Sequence, residues 1–170
     1  MIIIRKARKG DEKGIAESFN EGFKRGFNNY TGSNKPFDKK KIRKIEKSIR
    51  EKKKNEFSYV AVDSETRKIV GSSIFFGRGK GRTRHRGEIG WGVHPDYMEK
   101  SIATRLVNEI LKEAKRKGFK RAEAEAAVVN IGSVKLAKKT GFKIEGRRKA
   151  GLLLDNGKYA DTWLFGKILR

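Results

Sequence analysis

The chain has 170 residues, no cysteine, and 43 Lys plus Arg against 20 Asp plus Glu, a formal net charge of +23. This length suits one domain whose core needs neither disulfide nor metal. The missing cysteines exclude disulfide frameworks, thiolate nucleophiles and cysteine zinc sites, and two histidines, His85 and His94, are too few for a metal cluster. No apolar run approaches the ~20 residues of a membrane span, and MIIIRKARKGDE is charged too early for a secretory signal, so a cytoplasmic protein with no membrane role is expected.

IIIRKAR (2–8) reads as a first strand. Asp11 can cap a helix whose apolar positions Ile15, Phe19, Phe23 and Phe27 recur every four residues. NNYTGSNKP (28–36) is rich in turn formers, and DKKKIRKIEKSIREKKK then places Ile42, Ile45 and Ile49 on one side of a very basic second helix. FSYVAVD (57–63) and KIVGSSIFFG (68–77) are strands joined by SETR. A basic loop, RGKGRTRHRG (78–87), leads to the strand EIGWGV. From Ser101 to Lys117, Ile102, Leu106, Ile110 and Ala114 recur every four, Val107 and Leu111 widen the stripe, and Gly118 ends the helix. RAEAEAAVV (121–129) is a strand and Asn130 to Lys139 a short helix ended by Gly141. FKIEGRRKAGLLL and YADTWLFGKIL are strands flanking the turn DNGK. Antiparallel hairpins with one parallel crossover predict a mixed sheet covered by helices.

Chemistry is expected between Glu88 and Lys117. Alternation along GEIGWGV puts Glu88, Gly90 and Gly92 on one face and Ile89, Trp91 and Val93 on the other. Two glycines at alternate positions of a strand mark a close approach by a ligand, a bend or a neighbouring helix. Pro95 breaks the strand, and the first N–H groups of the following helix, at the positive end of its dipole, suit an anionic phosphate.

HPDYMEKSIATRL, followed at a distance by NIGSVKLAKKTGFKIEG, resembles the GNAT superfamily of N-acetyltransferases. With its tail RRKAGLLLDNGKYADTWLF, the second block is similar to the ribosomal-protein N-terminal alanine acetyltransferase branch. The pattern is carried by Asn130, Ser133, Lys139, Gly141, Phe142, Glu145, Gly146, Arg148 and the Asn156, Gly157, Tyr159, Asp161 turn. The resemblance implies a single α+β (mixed α/β) GNAT domain over 1–170, with a mostly antiparallel sheet of about seven strands and about four helices. It implies acetyl-CoA as cosubstrate, no metal, and an amine acceptor, with a protein N-terminus favoured. The family's phosphate loop, (Gln or Arg)xxGx(Gly or Ala), falls here on Met98, Ser101 and Ala103, so one of three positions is kept. Glycine lets the backbone approach a phosphate closely, and Ser101 and Ala103 are the next smallest residues. Met98, Glu99, Lys100, Ser101, Ile102, Ala103 and Thr104 then hold the phosphates, with Lys100 and Arg105 offsetting Glu99. Trp91 and Val93 offer backbone groups to the pantetheine arm, which Asn130 reaches from the opposite strand.

Attack by an amine needs a base to remove a proton and a partner for the departing sulfur. Glu88 is the candidate base; its plainer role is an ion pair. Ser133 inherits the sulfur-facing role in the branch, where its plainer role is helix capping, because Ala137 occupies the position of the tyrosine many relatives use. Tyr97 and Tyr159 are fallback hydroxyls. Glu123 and Glu125 share a strand face and could meet a cationic amine, although salt bridging is the favoured reading. His85 and His94 read as loop and turn residues.

The charge has two readings. Lys, Arg and Glu are abundant and Gln absent, as in thermophile proteins, yet the acids do not balance the bases. The alternative is contact with ribosome or RNA through the basic helix and the 78–87 loop. A rival to the enzyme is therefore a catalytically weak GNAT-like basic module that binds RNA or ribosome. Monomer and homodimer both remain open.

Overall fold

The computed structural model describes residues 1–26 and 32–170. Phe27, the last position of the predicted apolar stripe, and the first part of the predicted 28–36 loop lie outside the described residues. The elements run β1 (Ile2–Lys6), α1 (Glu12–Lys24), α2 (Lys39–Glu51), β2 (Glu56–Asp63), β3 (Ile69–Phe76), β4 (Arg86–Val93), α3 (Ile102–Arg116), β5 (Arg121–Ala127), α4 (Ile131–Lys139), β6 (Lys143–Leu153) and β7 (Tyr159–Ile168). Short 3-10 turns occupy Gly81–Thr83 and Pro95–Tyr97. The seven strands form one sheet in the order β1-β2-β3-β4-β5-β7-β6, antiparallel at every pairing except β4 with β5. This is the predicted mixed α/β arrangement with one parallel crossover, made through α3.

The α3 stripe packs as its periodicity predicts: Ile102, Leu106, Val107, Ile110, Leu111 and Ala114 are buried. They meet Phe75, Ile89, Ala122, Ala124, Ala126 and Phe165, so α3 anchors the centre of the sheet. Ser73, beneath α3, donates its hydroxyl to the Leu106 carbonyl at 3.2 Å. Ser73 is also the register partner of Trp91, which places Ile89, Trp91 and Val93 on the α3 side of β4. Gly118 closes α3 at φ +90° and Gly141 ends α4 at φ +87°, both in the left-handed region that glycine enters without a Cβ penalty.

The N-terminal helices differ in detail from their predicted faces. Asp11 occupies the N-cap of α1 but makes no side-chain cap there. Its carboxylate instead takes both arms of Arg5, at 2.6 and 2.8 Å, and the Arg8 amide at 2.8 Å. The residues of α1 that bury are Ile15 and the small Ala16, Ser18 and Gly22, while Phe19 is half-buried and stacks on Phe37 at 3.8 Å. In α2 the Asp38 side chain caps Lys41 N at 2.8 Å, but no residue is fully buried; Ile42, Ile45 and Ile49 reach only half-burial. None of the described helices is long and apolar enough to cross a membrane.

Candidate active site

The parallel pairing of β4 with β5 is short. It joins Arg86, Gly87 and Glu88 to Arg121, Ala122 and Glu123, and then stops. Beyond it β4 stays paired to β3 through Val93↔Gly71, and β5 to β7 through Ala127↔Thr162. The two strands therefore part into a wedge whose facing edges carry backbone N–H and C=O groups with no ladder partner. Polar backbone groups in such a place call for a hydrogen-bonding occupant. The glycines of β4 line one face of this wedge. A Cβ built on Gly92 would meet nothing within 4 Å, and one on Gly90 only Ile74 Cγ2 at 3.5 Å. Apart from Ile74, no neighbouring atom comes within 4 Å of these Cβ positions, which leaves space beside the strand.

At the open end of the wedge the chain turns into α3. His94 N bonds Val70 O at 2.8 Å, and the Tyr97 hydroxyl donates to Asp63 at 2.7 Å. That bond raises the Tyr97 hydroxyl above its ordinary pKa and lowers the Asp63 carboxyl, so Tyr97 pins the turn. Met98 is extended, Glu99 has φ +61° and Ser101 has φ +57° with ψ 12°. The position where the family pattern has glycine is thus a left-handed position, occupied here by serine. The first α-helical bond runs from Arg105 N to Ser101 O at 3.1 Å, so the amides of Ile102, Ala103 and Thr104 lie ahead of it, in the turn that can receive an anion.

The predicted compensation of Glu99 is not what the structure shows. Lys100 donates to the Asp96 carbonyl at 3.2 Å and lies over the Tyr97 ring, and Arg105 reaches back to Ile2 O at 3.0 Å. Asp96 is itself held by Arg25 of the segment after α1 at 2.5 Å, which keeps its carboxyl below the usual range. The Arg25–Asp96 and Tyr97–Asp63 ties position the loop, and sequence spacing carries no signal for either.

Glu88 is the last residue of β4 in register with β5 and is exposed on the glycine face. Among the described residues it has no ion pair and no side-chain hydrogen bond. Its register partner Glu123 is held by Arg121 at 2.8 Å and Arg86 at 3.1 Å. Glu125 takes Arg148 and the Thr162 hydroxyl, each at 2.5 Å. Arg121 also binds Glu145, and its two carboxylate partners raise its pKa further. Salt bridging thus accounts for Glu123 and Glu125.

Across the wedge, β5 leads into α4. The Asn130 side-chain oxygen accepts from Ser133 N at 3.2 Å and caps the helix. Capping therefore uses the Asn130 side chain and only the amide of Ser133; the Ser133 hydroxyl takes no part in it. Ala137 is wholly buried, and Tyr159 is 68% exposed on the β6–β7 hairpin. His85 faces Arg82 O at 3.1 Å and His94 accepts from Asp96 N at 3.2 Å. Among the described residues no three His, Cys, Asp or Glu side chains gather as a metal site.

No curated protein matches this chain significantly. Solved structures superpose over nearly its whole length. The GNAT acetyltransferase of Streptococcus pneumoniae is 22% identical with a TM-score of 0.87, covering 99% of both chains. The ribosomal-protein-S5-alanine acetyltransferase of Vibrio fischeri is 23% identical with a TM-score of 0.83, covering 99% of this chain and 93% of its own. The Salmonella typhimurium protein yncA, solved with acetyl-CoA, is 19% identical with a TM-score of 0.86, covering 100% and 95%. Residues 17–142 match the Acetyltransferase (GNAT) family, most of the chain from α1 to the start of β6. The protein therefore belongs to the GNAT family and is an acetyl-CoA-dependent N-acetyltransferase.

Proposed function

We propose that the acceptor is a protein N-terminal amine of the ribosomal-protein type, and that all 170 residues serve one transferase domain. The observation that carries the catalytic reading is Glu88, a carboxylate without a cation partner among the described residues, on the open face of the wedge beside two others that are both neutralised. The acceptor class is supported by the Asn130–Asp161 sequence pattern and by likeness to ribosomal-protein-alanine acetyltransferases. Contact with ribosome or RNA belongs to the same reading.

Acetyl-CoA, when bound, supplies an activated carbonyl carbon and a sulfur leaving group. The free backbone edge at Trp91 and Val93, with the Asn130 NH2 opposite, holds its arm. The amides of Ser101, Ile102, Ala103 and Thr104 hold its phosphates, with Met98, Glu99 and Lys100 shaping the turn. Glu88 takes a proton from the incoming ammonium, directly or through one water, so that the nitrogen lone pair can form the N–C bond as the C–S bond breaks. The Ser133 hydroxyl donates a hydrogen bond to the departing sulfur, and the second proton that the nitrogen loses as the amide forms goes to the thiolate, leaving it as the thiol.

Calorimetric titration with acetyl-CoA should show binding, and a peptide with a free N-terminal alanine should then be acetylated. No binding, or binding without acetylation of any amine peptide, sinks the proposal and leaves the rival binding module. Glu88→Gln should lower kcat/KM by roughly 10²–10⁴-fold and remove the acidic limb of its pH profile, because only the ionised base accepts the proton. An unchanged profile removes Glu88 from the role.

A further inference from the structure

The two basic stretches of the chain meet at one end of the sheet. Gly77 N bonds Asn55 O at 2.6 Å and Asn55 Nδ2 bonds Gly77 O at 3.1 Å, which ties the turn after α2 to the β3–β4 loop. Lys120 N bonds His85 O at 2.8 Å and closes the far side of that loop. Lys52, Lys54, Lys80 and Arg82 are exposed there with no carboxylate partner among the described residues. The nearby acids are already engaged: Glu51 by Lys53 at 2.8 Å, and Glu56 by the Ser48 hydroxyl at 2.5 Å. The outer side of α2 continues the surface, with seven Lys or Arg and two Glu in its 13 residues.

This surface is distinct from the cosubstrate loop. The β3–β4 loop enters β4 at Arg86, whereas the phosphate-binding turn follows its other end at Val93, seven residues and about 23 Å away. Glu88 lies two residues from Arg86, so the basic surface adjoins the proposed base rather than the phosphates.

We propose that the Lys52–Lys54 turn and the β3–β4 loop, extended by α2, form a docking surface for the phosphodiester backbone of RNA. None of the exposed large apolar side chains comes from α2, the 52–54 turn or the 77–86 loop. A membrane surface would need an apolar face to insert, and a protein partner would need aromatic or aliphatic anchors. Unpaired cations without anchors suit a polyanion whose charge is read and whose bases are not. The choice of RNA over DNA rests on the proposed ribosomal-type acceptor, which RNA would carry to the Glu88 end of the wedge.

The test uses the full chain and a single-stranded RNA of about 20 nucleotides. Four phosphates neutralised by Lys52, Lys54, Lys80 and Arg82 give a slope of log K against log salt near −3 from these residues alone. The quadruple variant Lys52→Gln, Lys54→Gln, Lys80→Gln, Arg82→Gln should lose that part of the slope, and roughly 10²–10³-fold in affinity at 0.1 M salt. It should keep acetyl-CoA binding and acetylation of a free peptide. Unchanged RNA affinity in the variant, or a wild-type slope weaker than −1, overturns the proposal. So does tighter binding to polyglutamate, to anionic phosphatidylglycerol vesicles, or to single-stranded DNA of the same length. RNA binding with the predicted slope in a protein that acetylates no peptide would overturn only the acceptor reading.

Discussion

Ser101 holds φ at +57° where the related loops carry glycine, and Glu99 does the same at +61° two residues earlier. A side chain in the left-handed region costs about 1–2 kcal/mol, so the phosphate turn keeps its shape against two local penalties. The ties around it, Tyr97 to Asp63 and Arg25 to Asp96, hold it there. Ser101→Gly removes one penalty and should raise the melting temperature by a few degrees, since ~1 kcal/mol corresponds to about 2–4 °C in a chain of this size. Ser101→Val, β-branched and bulkier, should lower both the melting temperature and the affinity for acetyl-CoA. A valine variant that melts and binds like wild type would show that the turn does not impose its geometry on this residue. Small size was legible at Ser101 from the spacing of the motif. Its backbone conformation was not, because nothing in the letters around a serine signals positive φ.

At the scale of elements, α3 joins the phosphate turn to the core, and one buried charge distinguishes it. Glu113 lies on its inner side at 5% exposure, bonded by Arg116 at 2.7 Å and Lys6 at 2.8 Å. The Arg116 hydrogen bonds pull its carboxyl down to about 2 from 4.5; burial opposes them and Lys6 adds to them. A depressed carboxylate contributes stability above its unfolded value and loses it as pH falls through its folded value. That contribution is present above pH 4.5 and lost toward pH 2. Urea unfolding of wild type and Glu113→Gln across that range should converge at the acid end. Parallel curves would mean that the pair contributes nothing specific. The apolar stripe of α3 was legible from its period, and so were its ends, because Pro95 and Gly118 bound it. Glu113 was not, since one charge beside an apolar stripe looks like solvated surface until β1 brings Lys6 over it. The same holds for the wedge. Alternation places Glu88 with the glycines, but the end of the β4–β5 pairing at Glu88 is a long-range tertiary feature that no local pattern records.

The whole molecule carries 43 basic and 20 acidic side chains, and its ion pairs cannot neutralise the difference. Most salt bridges among the described residues have at least one exposed partner, and exposed pairs contribute about 0–1 kcal/mol each, while the uncompensated +23 works against compactness. Salt weakens both effects, but the net repulsion is summed over the whole surface while each pair is local and short-ranged. Raising sodium chloride from about 0.02 M, where charges interact across ~20 Å, to about 0.3 M should therefore raise the melting temperature by several degrees. The Gln variant of Lys52, Lys54, Lys80 and Arg82 should melt higher than wild type at low salt, with the gap closing as salt is added. A melting temperature that falls with salt would mean that the ion pairs outweigh the repulsion, the behaviour expected if the basic bias served thermal stability. A rise would mean that the excess charge is carried at a cost to the fold, which gives a reason to look for a polyanion that offsets it.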